Sequence, residues 1–348
     1  MNKLFFFILS LAVFATVFSC KIKKTPTEVI TQKDFRIGFY NVENLFDTID
    51  IDGKADEEFT PGSKKKWNTE RYFKKLNDLA KVVDAMNYPA ILGLCEVENA
   101  TVLKDFIAET SLKNHDYNYV HFESPDFRGI DVAMVYQKNI FQVLNSEAIE
   151  INFPKSIIGE DKYTTREILY VKGIFAKKDT LHIYINHFPS RRGGLEASEP
   201  KRTYVAEQLM KSVNSVFSKN KNANILLMGD FNDEPDNNSI TKTIGAKNLP
   251  DNSSPTSLIN CAAEQDSRKK GTYNYRGNWN MLDQIIVSNA LLQKNGNLKI
   301  GEFQIFQKEW MMFKSKKYGL TPNRTYGGPN YYGGFSDHLP VFVEIRVD

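Results

Sequence analysis

The chain has 348 residues, of which 41% are hydrophobic, so it is long enough to bury the core of one large domain or two small ones. Its 45 Lys and Arg residues against 42 Asp and Glu residues leave a formal net charge of +3. This near balance excludes the strongly basic proteins that coat nucleic acid, and it leaves other partners open.

The first segment, residues 1–19, has the pattern of an export signal: Lys3 precedes a short apolar run that ends before Cys20. The run is too short for a comfortable membrane span. We expect lipidation of Cys20, as at a bacterial lipoprotein cleavage site, with residues 20–33 as a flexible tether. The expected location is the bacterial cell envelope, periplasmic or surface-facing. An ordinary signal peptide that contains Cys20 is the alternative.

Apolar runs of strand length then alternate with helical patterns, and we expect one α/β catalytic domain over residues 34–348. Two amphipathic patterns predict helices over residues 72–86 and 202–216. Seven runs predict strands, over residues 35–40, 90–95, 132–136, 181–188, 225–228, 283–287 and 339–345.

Polar residues fall at the ends of these predicted strands. One group follows its strands, and it consists of Asn41, Glu96, His187 and Asp230. The other group precedes its strands, and it consists of Asp131, Asp283, Asp337 and His338. If strands of the second group run antiparallel to those of the first, all these side chains meet at one edge of a mixed sheet, where loops carry function on a rigid scaffold.

The residue types at this edge suit the hydrolysis of a phosphate ester, which requires stabilised anionic oxygens and an activated water molecule. Carboxylate and amide oxygens are good ligands for Mg²⁺, Mn²⁺ or Ca²⁺. The sequence lacks a GxxxxGK phosphate loop, a GxSxG elbow and Cys/His spacings typical of zinc sites. It therefore favours metal-assisted phosphoester hydrolysis over P-loop nucleotide hydrolysis or serine-esterase chemistry.

Seven short motifs span nearly all of the predicted domain. They are FYNVENLFD at 39–47, CEVEN at 95–99, RGIDVA at 128–133, NHFPSR at 186–191, GDFNDEP at 229–235, LDQ at 282–284 and SDHLP at 336–340. In this order the chain resembles the endonuclease/exonuclease/phosphatase superfamily, and more closely its exported bacterial branch. The resemblance implies the deoxyribonuclease-I-like fold, a four-layer α/β/β/α sandwich with two mixed, mainly antiparallel sheets.

The resemblance also implies where a metal would bind. Glu96 would be the main ligand, with Asn41 beside it and Asp337 close to the ion. A second ion, if two bind, would lie nearer Asp230 and Asn232. Mg²⁺ is the expected cofactor, with Mn²⁺ or Ca²⁺ as alternatives.

Catalytic roles follow from the same resemblance. Asp230 would position or deprotonate the attacking water, and Asn232 would hold the phosphate. His338 would pair with Asp283, whose carboxylate fixes its tautomer and favours its charged form. The general base stays unassigned between Asp230 and His338.

The histidine at 187 would donate to a phosphate oxygen, with Asp131 as the residue that orients it. Arg128 and Arg191 are candidates for substrate phosphate, because guanidinium groups make bidentate phosphate contacts. Ordinary surface arginine is the alternative for both. The remaining histidines have no motif around them and are interpreted as ordinary, namely His115, His121 and His182.

Two segments depart from the generic pattern. Residues 49–66 form an acidic insertion, interpreted as a solvated loop with a calcium loop as the alternative. Residues 326–335, YGGPNYYGGF, could form a flexible lid or place tyrosines against a base or sugar. Export would permit a disulfide between Cys95 and Cys261, and a buried free Cys95 is the alternative.

The leading hypothesis is an exported, lipid-anchored, monomeric nuclease or related phosphodiesterase with nucleic acid as its substrate. A phosphatase or phospholipase-type enzyme acting on inositol phosphates or sphingomyelin is the alternative. A binding module that retained the fold but lost catalysis is a third possibility, and the intact set of acidic residues and histidines disfavours it. Fold-level resemblance alone does not select a substrate.

Overall fold

The computed structural model describes residues 34–160, 162–248, 254–293 and 295–348, which belong to one compact unit, Gln32–Asp348. The predicted signal segment, the lipidation site Cys20 and the tether lie outside the described residues. Among the described helices, none has both the length and the apolar character needed to cross a bilayer.

The strands of the described residues are numbered in chain order. They are β1 Asp34–Leu45, β2 Ile91–Val97, β3 Tyr117–His121, β4 Asp131–Gln137, β5 Phe141–Ile149, β6 Ile168–Phe175, β7 Asp179–His187, β8 Asn224–Asp230, β9 Leu258–Asn260, β10 Tyr273–Tyr275, β11 Asn278–Asn280, β12 Asp283–Ser288, β13 Leu298–Ile305, β14 Met312–Ser315, β15 Gly319–Pro322, β16 Tyr326–Gly327, β17 Asn330–Tyr331 and β18 Val341–Val347.

The α-helices of the same residues are α1 Thr69–Ala85, α2 Ala100–Ala108, α3 Lys155–Ile158, α4 Leu195–Lys219 and α5 Ala263–Ser267. Short 3₁₀ turns cover Glu57–Phe59, Ser111–Asn114, Asn289–Leu292 and Glu309–Met311, and a π-helical turn covers Ser239–Ile244. The α1 helix begins after Asn68, whose side chain accepts a hydrogen bond from the backbone N–H of Arg71. Asn99 caps α2 in the same way, by accepting from the backbone N–H groups of Thr101 and Val102.

Two large sheets form the centre of the fold. In the described residues the first sheet has the order β13-β18-β1-β2-β4-β3, and the second has the order β5-β6-β7-β8-β12-β9. The β1–β2 pair is parallel in the first sheet and the β7–β8 pair in the second, while the other neighbours in both sheets are antiparallel. Both sheets are therefore mixed and mainly antiparallel, as the resemblance implied.

The helices cover the outer faces of the two sheets. Buried side chains of α1 and α2, such as Leu76 and Phe106, share a core with Leu92 of β2. Buried side chains of α4, such as Leu209, share a second core with Leu227 of β8. Removal of any such large buried side chain costs about 2–5 kcal/mol, so each core contributes strongly to stability.

The inner faces of the sheets pack against each other. A Cβ atom at Gly93 of β2 would lie 2.9 Å from Cε of Met228 of β8, which is closer than real contacts allow. The absence of a side chain at Gly93 therefore lets the two sheets approach, and the layers are helix, sheet, sheet and helix. This confirms the predicted four-layer sandwich.

The two cysteines of the domain are free: Cys95 is buried within β2, and Cys261 is partly buried. Burial raises the pKa of both thiols, to about 12 for Cys261, so both are protonated at neutral pH. Of the two alternatives from the sequence, the structure has the free buried thiol at Cys95 and no disulfide.

Candidate active site

The ends of the central strands in the second sheet bring three predicted residues together. In the parallel β7–β8 pair His187 lies opposite Asp230, and in the antiparallel β8–β12 pair Asp230 lies opposite Asp283. The last residues of β7 and β8 therefore meet the first residue of β12. β8 ends with its polar residue, Asp230, and the antiparallel β12 begins with its polar residue, Asp283. The two side chains therefore lie at the same edge of the sheet, as the sequence predicted.

Two irregular strand ends shape the corresponding edge of the first sheet. The register of β1 on β2 shifts between Asn41 and Leu45, and that of β2 on β4 shifts between Cys95 and Val97. Within the second irregularity Glu96 has φ of 63°, in the left-handed region that a residue with a side chain seldom occupies. Its Oε2 accepts a hydrogen bond of 2.9 Å from the backbone N–H of Asn44. Strain of this kind at a carboxylate is typical of functional sites.

A hydrogen bond joins the two sheets at this edge. Nδ2 of Asn41, on β1, donates to Oδ2 of Asp230, on β8, at 3.1 Å. Oδ1 of Asn41 accepts from the backbone N–H of Glu43 at 3.0 Å, so the amide is fixed at both ends. Asn41 thus turns its own chain and also reaches the second sheet.

The terminal histidine is paired with the aspartate of β12. Nδ1 of His338 lies 2.7 Å from Oδ2 of Asp283, and Nε2 lies 3.9 Å from Oδ2 of Asp230. Burial alone would lower the pKa of His338, but Asp283, through its charge and its hydrogen bond, and Asp230 raise it well above its ordinary value. The imidazole is therefore held as a cation with Nε2 directed towards Asp230.

The carboxylate of Asp230 is buried and held by several donors. Burial raises its pKa, the charge of His338 opposes this, and the charge of Asp283 adds to it. Its Oδ1 accepts from the backbone N–H of Asn232 at 2.9 Å. Because Oδ2 accepts from Asn41, one orientation of the carboxylate is fixed before any substrate binds.

The predicted phosphate-binding amide at 232 lies on a tight turn. Asn232 has φ of 49°, and its Nδ2 donates to the backbone carbonyl of Phe188 at 3.0 Å. The same turn is held from outside by Arg191, whose Nε donates to the carbonyl of Asn232 at 2.8 Å. The amide therefore lies next to Asp230, within a loop whose shape is set by other side chains.

The histidine of β7 is buried and uncharged. Burial lowers the pKa of His187 well below its ordinary value, and the charges of Arg166, Arg128 and His338 lower it further. Its Nε2 lies 3.7 Å from Oδ2 of Asp230. A neutral imidazole at this point can donate a hydrogen bond without adding charge.

The structure corrects the expectation that Asp131 orients His187. Oδ2 of Asp131 lies 3.0 Å from Nε2 of His121, and Oδ1 accepts from the backbone N–H of Ser124 at 2.9 Å. Both oxygens are therefore engaged on the side of β3, because β3 pairs with β4 and brings His121 to the start of that strand. His121, interpreted as ordinary, is the partner of Asp131. No sequence motif marked this contact between neighbouring strands.

The two candidate arginines for substrate phosphate differ in their surroundings. The side chain of Arg128 is 46% exposed, and its Nε lies 3.6 Å from Oδ1 of Asp126, so it remains accessible at the edge of the site. Arg191 is held by the carbonyl of Asn232 and by Oδ1 of Asn237. The structure therefore gives Arg191 a role in shaping the loop that carries Asn232.

The structure places Arg166, which lies outside the seven motifs, against the backbone of His187. Its Nη2 donates to the carbonyls of His187 and Phe188 at 2.9 and 2.6 Å, and its Nη1 donates to Asp126 at 3.2 Å. Three bonds from one buried guanidinium fix the backbone that carries His187. A buried arginine lacks a signal in a single sequence, because its burial depends on contacts between distant strands.

A buried lysine and a buried glutamate were also missed. Lys75 of α1 and Glu43 of β1 both hold the segment before His338: Nζ of Lys75 donates to Oγ1 of Thr325 at 2.7 Å and to the carbonyl of Phe335. Glu43 accepts from the backbone N–H groups of Thr325 and Tyr326. Its place within FYNVENLFD, a motif rich in apolar residues, was the available signal, since a charged residue requires a partner when buried.

The donors at this edge fit a hard divalent cation. Burial raises the pKa of Glu96, the charge of Arg128 opposes this, and the charges of Asp337 and Asp230 add to it. Carboxylates that raise the pKa of Glu96 in this way repel its ionised form, and a bound cation relieves the repulsion. Asp337 is partly exposed and lies 3.5 Å from Nη2 of Arg324. Glu96, Asp337 and the amide of Asn41 therefore form a suitable set.

Other groupings of metal-ligating side chains are less suitable. Ligand atoms of Asp230, Asp283 and His338 lie within 4.8 Å of one another, as do those of Cys95, His187 and Asp230. In the first group the Asp283–His338 hydrogen bond already engages two of the three members. In the second, burial keeps the thiol of Cys95 protonated.

Comparison with protein families gives one assignment that covers almost the whole described chain. The model of the Endonuclease/Exonuclease/phosphatase family matches residues 36–347. A comparison with curated proteins finds no match.

Solved structures with the same fold include enzymes with different substrates. The chain is 16% identical to Bacteroides thetaiotaomicron mannosyl-6-phosphatase, with a TM-score of 0.56 over 89% of this chain and 99% of that one. It is 14% identical to D. rerio TDP2 complexed with single strand DNA product, with a TM-score of 0.55 over 91% and 100%. It is 16% identical to the human Nocturnin catalytic domain with bound sulfate anion, with a TM-score of 0.54 over 91% and 94%. Identities this low establish the fold alone.

Proposed function

The chain belongs to the endonuclease/exonuclease/phosphatase family, a superfamily of metal-dependent phosphoesterases, and we propose that it is a phosphodiesterase that cleaves nucleic acid. The observation that carries the proposal is the convergence of Asp230 with the Asp283–His338 pair, at 3.9 Å between Nε2 of His338 and Oδ2 of Asp230. A histidine cation beside a fixed carboxylate supplies a proton donor and a proton acceptor at one point.

Glu96, Asp337 and Asn41 would hold the divalent cation, with Mg²⁺ as the proposed ion and Mn²⁺ or Ca²⁺ as alternatives. When bound, the ion supplies positive charge that stabilises the anionic phosphate oxygens. Asp230 and Asn232 are the proposed ligands if a second ion is used.

The side chains of the second sheet carry the remaining roles. Asp230, fixed by Asn41 and Asn232, orients the attacking water in line with the leaving oxygen and takes up its proton. His338 presents Nε2 to a phosphate oxygen because Nδ1 is bonded to Asp283. Neutral His187 donates a second hydrogen bond to the phosphate.

Asn232 and Arg128 complete the proposed contacts to substrate. Asn232 supports the phosphate from the turn after β8. Arg128, at the exposed edge, adds a charged contact to the same anion. Arg191 and Arg166 act indirectly, since each donates to backbone carbonyls next to the reacting groups.

Nucleic acid is the preferred substrate class for one comparative reason and one structural reason. A protein of the same fold, TDP2 of D. rerio, was solved with a single-strand DNA product. The partly exposed ring of Tyr273 also lies 4.8 Å from that of His338, between their centres. A phosphomonoesterase acting on a phosphorylated sugar is the second candidate, because the mannosyl-6-phosphatase of B. thetaiotaomicron shares the fold.

The proposed location is the bacterial cell envelope, with residues 1–19 as the export signal and Cys20 as the lipidated residue. A Cys20→Ser variant should leave the membrane fraction and appear in the soluble fraction. Membrane retention of that variant at the wild-type level would refute the lipid anchor.

A substrate panel tests the proposed function. Single-stranded DNA, RNA, a hexose 6-phosphate, inositol phosphates and sphingomyelin are incubated with Mg²⁺ and with EDTA, and released phosphate or shortened oligonucleotide is measured. Metal-dependent shortening of an oligonucleotide is expected, with loss of activity in His338→Ala and wild-type activity in the control His115→Ala. Hydrolysis restricted to sugar or lipid phosphates would overturn the nuclease assignment.

A further inference from the structure

A pocket of about 810 Å³ opens beside the candidate active site. Its walls come from three hairpins, formed by β10 and β11, β14 and β15, and β16 and β17. We call it the aromatic pocket, and it is defined by the rings of Tyr273, Tyr275, Phe313, Tyr318, Tyr331 and Tyr332.

Several of these rings are exposed although they are large and mostly apolar. Tyr275 is 52% exposed, Phe313 is 56% exposed and Tyr332 is 60% exposed. Single exposed apolar residues require no explanation, but a cluster around one concavity is typical of a binding site. The exposure therefore indicates a ligand with flat apolar surface.

A glycine keeps one wall of the pocket open to an aromatic ring. A Cβ atom at Gly327 would lie 2.5 Å from Cε2 of Tyr332, so the tyrosine ring occupies the space that a side chain would need. The ring of Tyr332 is thereby laid across the β16–β17 hairpin at the pocket wall. This is one place where YGGPNYYGGF requires its glycine.

The charge of the pocket complements an anion. Arg276 and Arg324 line it, and none of the lining side chains within the described part of the chain is a carboxylate. The guanidinium of Arg276 lies 5.1 Å from the centre of the Tyr275 ring, so a positive charge stands beside an exposed aromatic face. Nucleotides suit such a pocket, because their bases stack on aromatic rings and their phosphates pair with guanidinium groups.

The pocket is continuous with the candidate active site. The centre of the Tyr273 ring lies 4.8 Å from that of His338, and the backbones of these residues form an isolated β-bridge. Arg324 lies 3.5 Å from Asp337. A substrate whose phosphate contacts His338 would therefore extend its next group into the pocket.

We propose that the aromatic pocket binds the base of a nucleotide that flanks the scissile phosphate, with Arg276 next to the strand's backbone. The inference rests on the proposed function, because it assigns the neighbouring part of that substrate. Stacking on Tyr275 and Phe313 is independent of sequence, since every base has a flat face.

Binding without catalysis tests the pocket directly. A short oligothymidylate and an abasic oligonucleotide with the same number of phosphates are titrated in EDTA against wild type and the Tyr275→Ala/Phe313→Ala double variant. Leu144→Ala, which removes a 49% exposed side chain on β5, is the control. Wild type and control should bind oligothymidylate about tenfold more tightly than the abasic strand, on the scale of base–aromatic stacking. The double variant should bind both strands equally.

Other outcomes overturn the inference in distinguishable ways. Equal binding of the two strands by wild type would show that the pocket does not bind a base. An unchanged preference for oligothymidylate in the double variant would show the same. Tighter binding of a hexose 6-phosphate that depends on the same two rings assigns the pocket to a sugar. Failure of metal-dependent cleavage with an intact base preference contradicts the proposed function and leaves the pocket assignment supported.

Discussion

Nδ2 of Asn41 donates to Oδ2 of Asp230 at 3.1 Å, and this bond joins β1 of the first sheet to the end of β8 in the second. Asn41 lies 189 positions before Asp230 in the chain. The proposed reaction centre is therefore assembled by the packing of the whole sandwich.

Replacement of Asn41 by alanine should weaken both stability and activity. Asp230 would lose a donor while it remains buried, and a lost hydrogen bond to a charged group costs about 1.5–3 kcal/mol. Chemical denaturation should show this loss, with Asn118→Ala on β3 as an exposed control that changes stability by less than about 0.5 kcal/mol. Equal stability of the two variants would contradict a structural role for the cross-sheet bond.

The Asp283→Asn variant should retain the fold and lose most of its activity. The amide has nearly the same shape as the carboxylate, but it does not stabilise the cationic form of His338. We expect kcat to fall by about a hundredfold or more, as when general acid–base catalysis is removed, with a small effect on KM. Asp236→Asn, at an exposed position after β8, is the control. A normal kcat in Asp283→Asn would refute a role of the Asp283–His338 pair in catalysis.

The Lys75→Met variant should release the segment that precedes His338. Lys75 is buried and donates to Thr325 and Phe335, and its charge lowers the pKa of buried Glu43, so its removal takes away two hydrogen bonds and the positive charge that favours ionised Glu43. A lost hydrogen bond to a charged group costs about 1.5–3 kcal/mol, and a loss of at least this order is expected. Denaturation should detect that loss, and exchange of the Thr325 and Tyr326 amides with deuterium should accelerate.

The exposed Lys104→Met on α2 serves as the control for that comparison, and it should change neither readout. Protection of the two amides at the wild-type level in Lys75→Met would show that Glu43 alone holds the segment.

The stability of the domain should fall as the pH is lowered through the range set by His182. Burial, with a smaller effect of Lys172, lowers the pKa of His182 from 6.5 to about 4, and the imidazole Nδ1 lies 2.7 Å from the hydroxyl oxygen of Tyr170. The unfolded chain takes up a proton near pH 6.5 and the folded chain only near pH 4. The free energy of unfolding therefore decreases as the pH falls between these values.

A His182→Gln variant lacks this titration. Lowering the pH from 7 to 4.5 should therefore reduce the Tm of wild type by more than it reduces the Tm of the variant. A difference that stays constant across that range would show that His182 is protonated equally in both states.

Most of the fold followed from period-2 apolar runs such as that before His187, because strand alternation is a local property. The same holds for the strand-end positions of Asp230 and Asp283, whose register the structure confirms. What local patterns do not contain is the partner of a side chain on another strand. For this reason Asp131 was predicted to orient His187, whereas its partner in the structure is His121.

Buried charges were missed for the same physical reason. Arg166 and Lys75 are charged residues whose burial depends on carbonyls far along the chain. From a single sequence such residues are expected to be exposed, because most Lys and Arg side chains are. The exposed rings of the aromatic pocket were only partly foreseen, since the tyrosines at 331 and 332 were noted but Tyr275 and Phe313 come from other hairpins.

The rate of phosphodiester hydrolysis as a function of free Mg²⁺, in wild type and in Glu96→Gln, tests the central claim most directly. Bis(p-nitrophenyl) phosphate reports the rate, and Glu109→Gln, at an exposed position after α2, is the matched control. Wild type and control should lose activity in EDTA and recover it with excess Mg²⁺, while Glu96→Gln should be slower by about a hundredfold or more at any Mg²⁺ concentration. Hydrolysis that is insensitive to EDTA, or a Glu96→Gln rate equal to that of the control, would contradict the account.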